Sequence, residues 1–210
     1  MNNLSEFKST PSSNPQGVKT NSENEGPIDT FLYSICENVS EFFYNTEHTP
    51  NIITTYSFIL GLASAYFYYH NHLFLFAICF IASYFFDCLD GYIARKYNMK
   101  SDFGEYYDSI SDGTVIVLLL YIVYIKHRHK NFNQSLIVFA ILVVLLNLEL
   151  SCQEKIINNK NPTIFKKTLR DFCPEIIVNK DNSPSMYFSY LRWFSPASFN
   201  LIFMLILINL

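Results

Sequence analysis

Basic charge is in deficit. The 210-residue chain sets 15 Lys and Arg against 18 Asp and Glu, a net charge of −3 with its five histidines neutral. A protein held on nucleic acid by neutralising phosphates needs the opposite balance, so that class is excluded. The cysteines Cys36, Cys79, Cys88, Cys152 and Cys173 are odd in number and show no CxxC or CxxH spacing. Neither a zinc site nor a disulfide framework is expected from them, and reduced, mostly buried thiols are. No apolar run stands behind positive charge near the N-terminus, as a secretory signal would require, and the chain is expected to begin outside a bilayer. At 24.5 kDa there is room for one domain, and no second catalytic domain is expected.

Half of the residues are hydrophobic and 17% aromatic, yet the mean hydropathy is only +0.14. Apolar residues must therefore be segregated. Residues 1–28 are rich in Ser, Asn, Thr, Glu and Gly, with isolated apolar residues at Leu4, Phe7 and Val18, and read as a disordered polar tail. Residues 29–47 read as an amphipathic juxtamembrane helix. Phe31, Leu32, Ile35, Val39, Phe42 and Phe43 fall at helical spacing, with Asp29, Ser34, Glu37, Asn38 and Glu41 opposite. It either packs on its own domain or rests in the membrane interface, although its polar face lacks the usual Lys and Arg.

Residues 48–210 carry five long apolar stretches: Ile52–Tyr69, Leu73–Leu89, Ile110–Ile125, Leu136–Leu150 and Phe194–Leu210. Each is near the length that crosses a core of about 30 Å, and several extend into polar flanks by a turn. The fold class is all-α, a polytopic integral membrane bundle of five to six transmembrane helices. Gly61 and Ala65 make a small-xxx-small step that allows close helix contact, and Tyr66–Tyr69 form an interfacial aromatic cluster.

Positive charge sets the expected orientation. With the N-terminus cytoplasmic, Lys8, Lys19, Arg95, Lys96, Lys100, Lys155, Lys160, Lys166, Lys167, Arg170, Lys180 and Arg192 lie inside; Lys126, Arg128 and Lys130 lie outside. The Asp-rich turn between the second and third stretches then faces the cytoplasm.

Asp87 and Asp90 end the second apolar stretch, and Asp108 and Asp112 open the third. A carboxylate at a helix centre costs about 2.5–3.5 kcal/mol on insertion scales, less near an interface, so four together call for a partner. Asp87, Asp90, Gly91 and Ala94 recur at i, i+3, i+4 and i+7, and Gly104, Asp108 and Asp112 at i, i+4 and i+8. Each set forms one helical stripe. Hard oxygen donors without a nearby histidine suit Mg²⁺ or Mn²⁺ rather than zinc. Gly91, Ala94 and Gly104 leave room for a bulky polyanion, and Arg95 adds a charge for a phosphate. The chemistry implied is metal-assisted phosphoryl transfer. Any one of these residues alone is as well explained by capping or a solvated surface. The spacing Asp-x2-Asp-Gly-x2-Ala-Arg-x8-Gly-x3-Asp-x3-Asp, with eight fixed positions, is not.

That string from Asp87 to Asp112 resembles the signature of the CDP-alcohol phosphatidyltransferases at every signature position. Pro50-Asn51-Ile52-Ile53-Thr54 is similar to the segment that opens the family's first helix. The resemblance covers roughly residues 49–125. It implies a six-helix membrane enzyme, usually a homodimer, that transfers a phosphatidyl or substituted phosphoryl group from a CDP-alcohol to a hydroxyl and releases CMP. It further implies two metal ions, with Asp87 and Asp108 touching both, Asp90 one and Asp112 the other, and Asp112 also the general base. Gly91, Arg95 and Ser101 match positions that contact the CDP-lipid, and Ala94 on the first stripe and Gly104 on the second are candidates for the same contact. Asn51 and Thr54 lie in the stretch that closes over the nucleotide. Cys88 reads as packing. Since five spanning stretches are visible, either Met186–Trp193 belongs to an additional broken helix before Pro196 or the family's last helix is missing.

Length and helix number are closer to the enzymes that use CDP-diacylglycerol, with inositol, glycerol phosphate or serine as acceptor, than to choline and ethanolamine phosphotransferases. Those phosphotransferases, using a CDP-amino alcohol and diacylglycerol, are the alternative, together with a catalytically silent scaffold. Lys166, Lys167, Arg170 and Arg192 are available to a phosphorylated acceptor, Arg170 and Arg192 being the candidates, but ordinary positive-inside flanking charge explains them better and they select no acceptor. Membrane prenyltransferases place their Asp motifs far apart rather than within 26 residues. An ion-conducting carboxylate relay leaves Gly91, Ala94, Arg95 and Gly104 without a role.

Overall fold

The computed structural model describes residues 17–20, 23–127, 132–157, 167, 170–179 and 181–210. Lys8, Arg128, Lys130, Lys160, Lys166 and Lys180, used above for orientation, and the tail up to residue 16 lie outside the described residues. Among those described there are seven α-helices: α1 Pro27–Asn45, α2 Pro50–Tyr69, α3 Leu73–Lys96, α4 Asp102–His127, α5 Phe132–Ile157, α6 Met186–Leu191 and α7 Pro196–Asn209. The chain divides into two compact units. One joins Leu32–Arg128 with the segment ending at Lys19; the other joins Thr20–Phe31 with His129–Leu210.

Helices α2, α3 and α4 and residues Ile137–Ile157 of α5 are each long and apolar enough to cross a membrane. Met186–Phe194 and Pro196–Asn209 pass that test together, bent by 43° at their junction. Among the described residues the candidate spans therefore number four, or five if the bent pair is one, in a multi-pass all-α protein. Of the two alternatives the sequence leaves open, the structure has the break before Pro196, which restarts the helix at its first position. α3 and α4 are longer than their apolar stretches and carry the polar signature residues as helix, since the helix continues through Lys96 and already begins at Asp102.

In the first unit, Thr49 caps α2 by accepting the Ile52 N–H, with Pro50 at the first turn. Ser57 donates to the Ser83 carbonyl at 2.9 Å, and Ser83 donates back to the Ser57 carbonyl at 2.8 Å, tying α2 to α3. A Cβ on Gly61 would fall 2.6 Å from Val115 Cγ2, so the small residue there is what lets α2 approach α4. Cys36 of α1 joins Ile53, Leu89, Tyr92 and Ile93 in one buried cluster, with Cys88 packed against it. Tyr44 stacks on Tyr97 at 3.8 Å. Phe42, 64% exposed, leaves apolar surface of α1 uncovered. The helix thus packs on its own domain along one face and keeps apolar surface outside it.

The segment expected to be a disordered tail to residue 28 differs in part. Gly17 is buried, and so are Glu25 and Gly26. Glu25 accepts the Thr20 N–H at 2.6 Å and the Gln153 side-chain amide at 3.3 Å. Polar composition suggested solvent here, but backbone and amide donors satisfy the carboxylate.

In the second unit, Cys152 and Cys173 form a disulfide, which corrects the expectation of reduced thiols for these two. The partners lie 21 residues apart, at a Cα separation of 4.9 Å. Chain reversal rather than local spacing brings them together, among Val178, Phe188 and Leu191. Cys36, Cys79 and Cys88 remain thiols, Cys36 fully buried and the other two half-buried. Phe139 of α5 packs on Phe203 of α7 at 5.1 Å.

Candidate active site and metal centre

The site is built at the turn between α3 and α4. Asn98 takes the left-handed conformation, φ 55°, immediately beyond the end of α3. Met99 N–H then donates back to the Ala94 carbonyl at 2.9 Å, which closes the helix in the Schellman manner. Ser101 caps α4 by accepting the Gly104 N–H at 3.0 Å. An Asn and a Ser at fixed offsets therefore produce a turn of five residues, 97–101, and return the chain along its own path.

That return sets the two Asp-bearing stripes face to face. One carboxylate oxygen from each of Asp87, Asp90 and Asp108 lies within 4.8 Å of the others. The Asp112 carboxyl faces that of Asp87 from the next turn of α4. Asp90 is 5% exposed, and Asp87, Asp108 and Asp112 are half-buried. Unit charges 4–5 Å apart repel by roughly 3–4 kcal/mol per pair at an effective dielectric of 20. Such a cluster calls for a cation.

The residues fit one. All donors are hard carboxylate oxygens, and Asp108 Oδ1 is buried without a hydrogen-bond partner. Asp90 Oδ2 is held from α2: Thr54 Oγ1 lies 2.6 Å from it and 3.1 Å from the Pro50 carbonyl. The single hydroxyl proton serves one acceptor at a time, and the shorter, charge-assisted bond goes to Asp90.

Other predicted residues gather around this centre. Asn51 Oδ1 lies 2.9 Å, and Ser101 Oγ 3.0 Å, from where a Cβ on Gly104 would stand, so only glycine lets the start of α4 approach α2 this closely. The Arg95 guanidinium folds back over Gly91, its NH1 3.0 Å from an added Cβ. Its charge acts on both Asp90 and Asp108. Ala94, one turn past Asp90, is half-buried. Arg170 and Arg192 belong to the other unit, where Arg192 donates to the Glu23 carbonyl.

Sequence reasoning missed Tyr107 and Thr55. Tyr107 OH lies 3.0 Å from Thr55 Oγ1, which donates to the Asn51 carbonyl at 2.8 Å and so steadies the first turn of α2 against α4. Tyr107 sits one residue before Asp108, where an aromatic reads as ordinary membrane packing.

The family model of the CDP-alcohol phosphatidyltransferases matches residues 47–168, which include every one of these carboxylates. The chain belongs to that family. An uncharacterized protein of Aquifex aeolicus is 33% identical over 83 residues, 39% of this chain and 42% of its own length. A Rickettsia felis protein named CDP-diacylglycerol–glycerol-3-phosphate 3-phosphatidyltransferase is 37% identical over 81 residues, 35% of this chain and 45% of its own. A Rickettsia bellii protein of the same name is 46% identical over 48 residues, 21% and 26% of the two chains. This CDP-alcohol phosphatidyltransferase family member thus spans less than half the length of the curated relatives it matches. No solved structure matches it.

Proposed function

We propose that this family member transfers the phosphatidyl group of CDP-diacylglycerol to the hydroxyl of a small alcohol and releases CMP, acting in phospholipid biosynthesis. The observation that carries the reading is the convergence of Asp87, Asp90 and Asp108 within 4.8 Å on two apolar helices. Asp87, Asp90, Asp108 and Asp112 would hold two Mg²⁺ or Mn²⁺ ions, and such ions supply charge neutralisation of the diphosphate and polarisation of the phosphorus under attack. Glycerol 3-phosphate is the acceptor to test first, because it appears in the names of the Rickettsia relatives.

Each residue has a task that follows from its place. Thr54 holds the Asp90 carboxylate in one orientation. Gly91 leaves the α3 backbone bare under the Arg95 guanidinium, Gly104 lets the start of α4 close on Asn51 of α2, and Arg95 offers planar donors to the diphosphate oxygens. Asp112, one turn beyond Asp108, takes the proton of the acceptor hydroxyl on a carboxylate oxygen. The acceptor oxygen bonds to phosphorus as the bond to CMP breaks, and no protein nucleophile is needed. The positive-charge balance supports a cytoplasmic site.

The test is incorporation of labelled acceptor into lipid by detergent-purified protein with CDP-diacylglycerol and Mn²⁺. Glycerol 3-phosphate, inositol, serine and inositol phosphate are offered separately. Labelled lipid from glycerol 3-phosphate alone supports the reading as stated; labelling from another alcohol keeps the reaction and replaces the acceptor. Turnover only with CDP-choline or CDP-ethanolamine and diacylglycerol overturns the choice of donor.

A further inference from the structure

Gly17 lies 78 residues from Arg95 in the chain, yet its carbonyl accepts the Arg95 Nε–H at 2.7 Å. Its backbone is left-handed, φ 64°, and it is buried. A Cβ there would fall 2.9 Å from Tyr92 Cζ and 3.0 Å from both Cε atoms. The position therefore demands glycine twice, for its backbone conformation and for its contact with an aromatic ring. Cζ of Arg95 stands 5.5 Å from the centre of the Tyr33 ring, in cation–π range. Gly91 of α3 lies under its terminal nitrogens, NH1 at 3.0 Å and NH2 at 3.6 Å from an added Cβ.

We propose that Gly17 is a positioning residue, which fixes the plane of the Arg95 guanidinium over Gly91 for the diphosphate of the CDP-lipid. This rests on the proposed function above. The bond runs through Nε, so it occupies the side-on edge of the guanidinium and sets the plane in which NH1 and NH2 lie. An arginine held in advance loses less side-chain freedom when an anion arrives, and that difference appears as affinity. The Tyr92 ring lies against Gly17, and the Tyr33 ring lies within cation–π range of the guanidinium. A segment whose composition reads as a solvated tail thus reaches the residue that the signature assigns to the CDP-lipid.

The test compares the full-length wild type, Gly17→Ala, Arg95→Ala and the double variant in one detergent. CDP affinity with Mn²⁺ is measured by calorimetry, with KM and kcat for CDP-diacylglycerol alongside. Gly17→Ala is expected to weaken CDP binding and raise KM by roughly five- to tenfold with kcat within about twofold, and to change neither by more than about twofold once Arg95 is already Ala. Gly17→Asn, which tolerates the left-handed backbone but still crowds Tyr92, is expected to weaken CDP binding as well. Unaltered CDP affinity in Gly17→Ala, tighter binding, or an equal loss in the Arg95→Ala background overturns the proposal. So does failure of both Gly17 variants to fold, which would make the residue structural. A wild type that neither binds CDP nor releases CMP refutes the underlying function, whereas an active wild type with an indifferent Gly17→Ala refutes this inference alone.

Discussion

Thr54 and Asp90, 36 residues apart, meet at 2.6 Å between α2 and α3, with a hydroxyl donating to a buried carboxylate. This contact joins the helix that opens the domain to the helix that carries the first Asp pair. A hydrogen bond to a charged group is worth about 1.5–3 kcal/mol. Thr54→Val is therefore expected to lower turnover by roughly 10- to 100-fold, and Thr54→Ser, which keeps the hydroxyl, to retain most of it. Rates of CMP release for the two variants check this; equal losses in both would show that shape rather than the proton donor matters.

Gly61 sets the approach of α2 to α4. Gly61→Ala places a methyl 2.6 Å from Val115 Cγ2, a distance that forces the helices apart. Overpacking of this kind costs about 1–3 kcal/mol. The thermal unfolding temperature is expected to fall, and Val115→Ala in the Gly61→Ala background to restore part of the loss. An additive loss in the double variant would place the strain elsewhere.

How much of this was legible beforehand depended on distance along the chain. The Asp stripes are local, and helical periodicity alone put Asp87 with Asp90 and Asp108 with Asp112. Their meeting was equally local, since a short turn joins the two helices; that Asn98 and Ser101 build the turn is seen only in the structure. A break before Pro196 was one of two alternatives that the sequence left open. By contrast, Thr54 reached the site only through resemblance, since nothing in a Thr-Thr pair announces a carboxylate on another helix. The Gly17–Arg95 bond carries no sequence signal at all, being a backbone carbonyl within a polar stretch. The Cys152–Cys173 bridge was hidden by an odd cysteine count, which pointed to thiols throughout.

That bridge closes a loop of 21 residues in sequence separation. Loop-closure entropy for such a span corresponds to about 3 kcal/mol of stability. Cys152→Ser or treatment with reductant is expected to lower the thermal unfolding temperature, and reductant to have no further effect on the Cys152→Ser variant. Unfolding scans with and without dithiothreitol check this, and identical scans for reduced and oxidised wild type would contradict it.

Cys36 gives a pH dependence. Burial pushes its thiol up to about 12 from the ordinary 9.0, against the opposing pull of Arg95. The folded protein keeps this proton where the unfolded chain releases it, so its contribution to stability is whole below pH 9 and is lost as pH rises toward 12. Cys36→Ala is expected to flatten that part of the stability profile. Iodoacetamide at pH 8 should label Cys36 only in unfolded protein; rapid labelling of the folded protein would show an accessible thiolate.

The central claim is that the four carboxylates serve phosphatidyl transfer, and metal-dependent CMP release by the purified protein tests it most directly. With CDP-diacylglycerol and glycerol 3-phosphate, wild type is expected to release CMP only when Mn²⁺ or Mg²⁺ is present. Asp108→Asn is expected to lose at least about 100-fold of that rate while inserting into membranes with unchanged helix content. CMP release by Asp108→Asn near the wild-type rate, or none from wild type with any acceptor, would contradict the account.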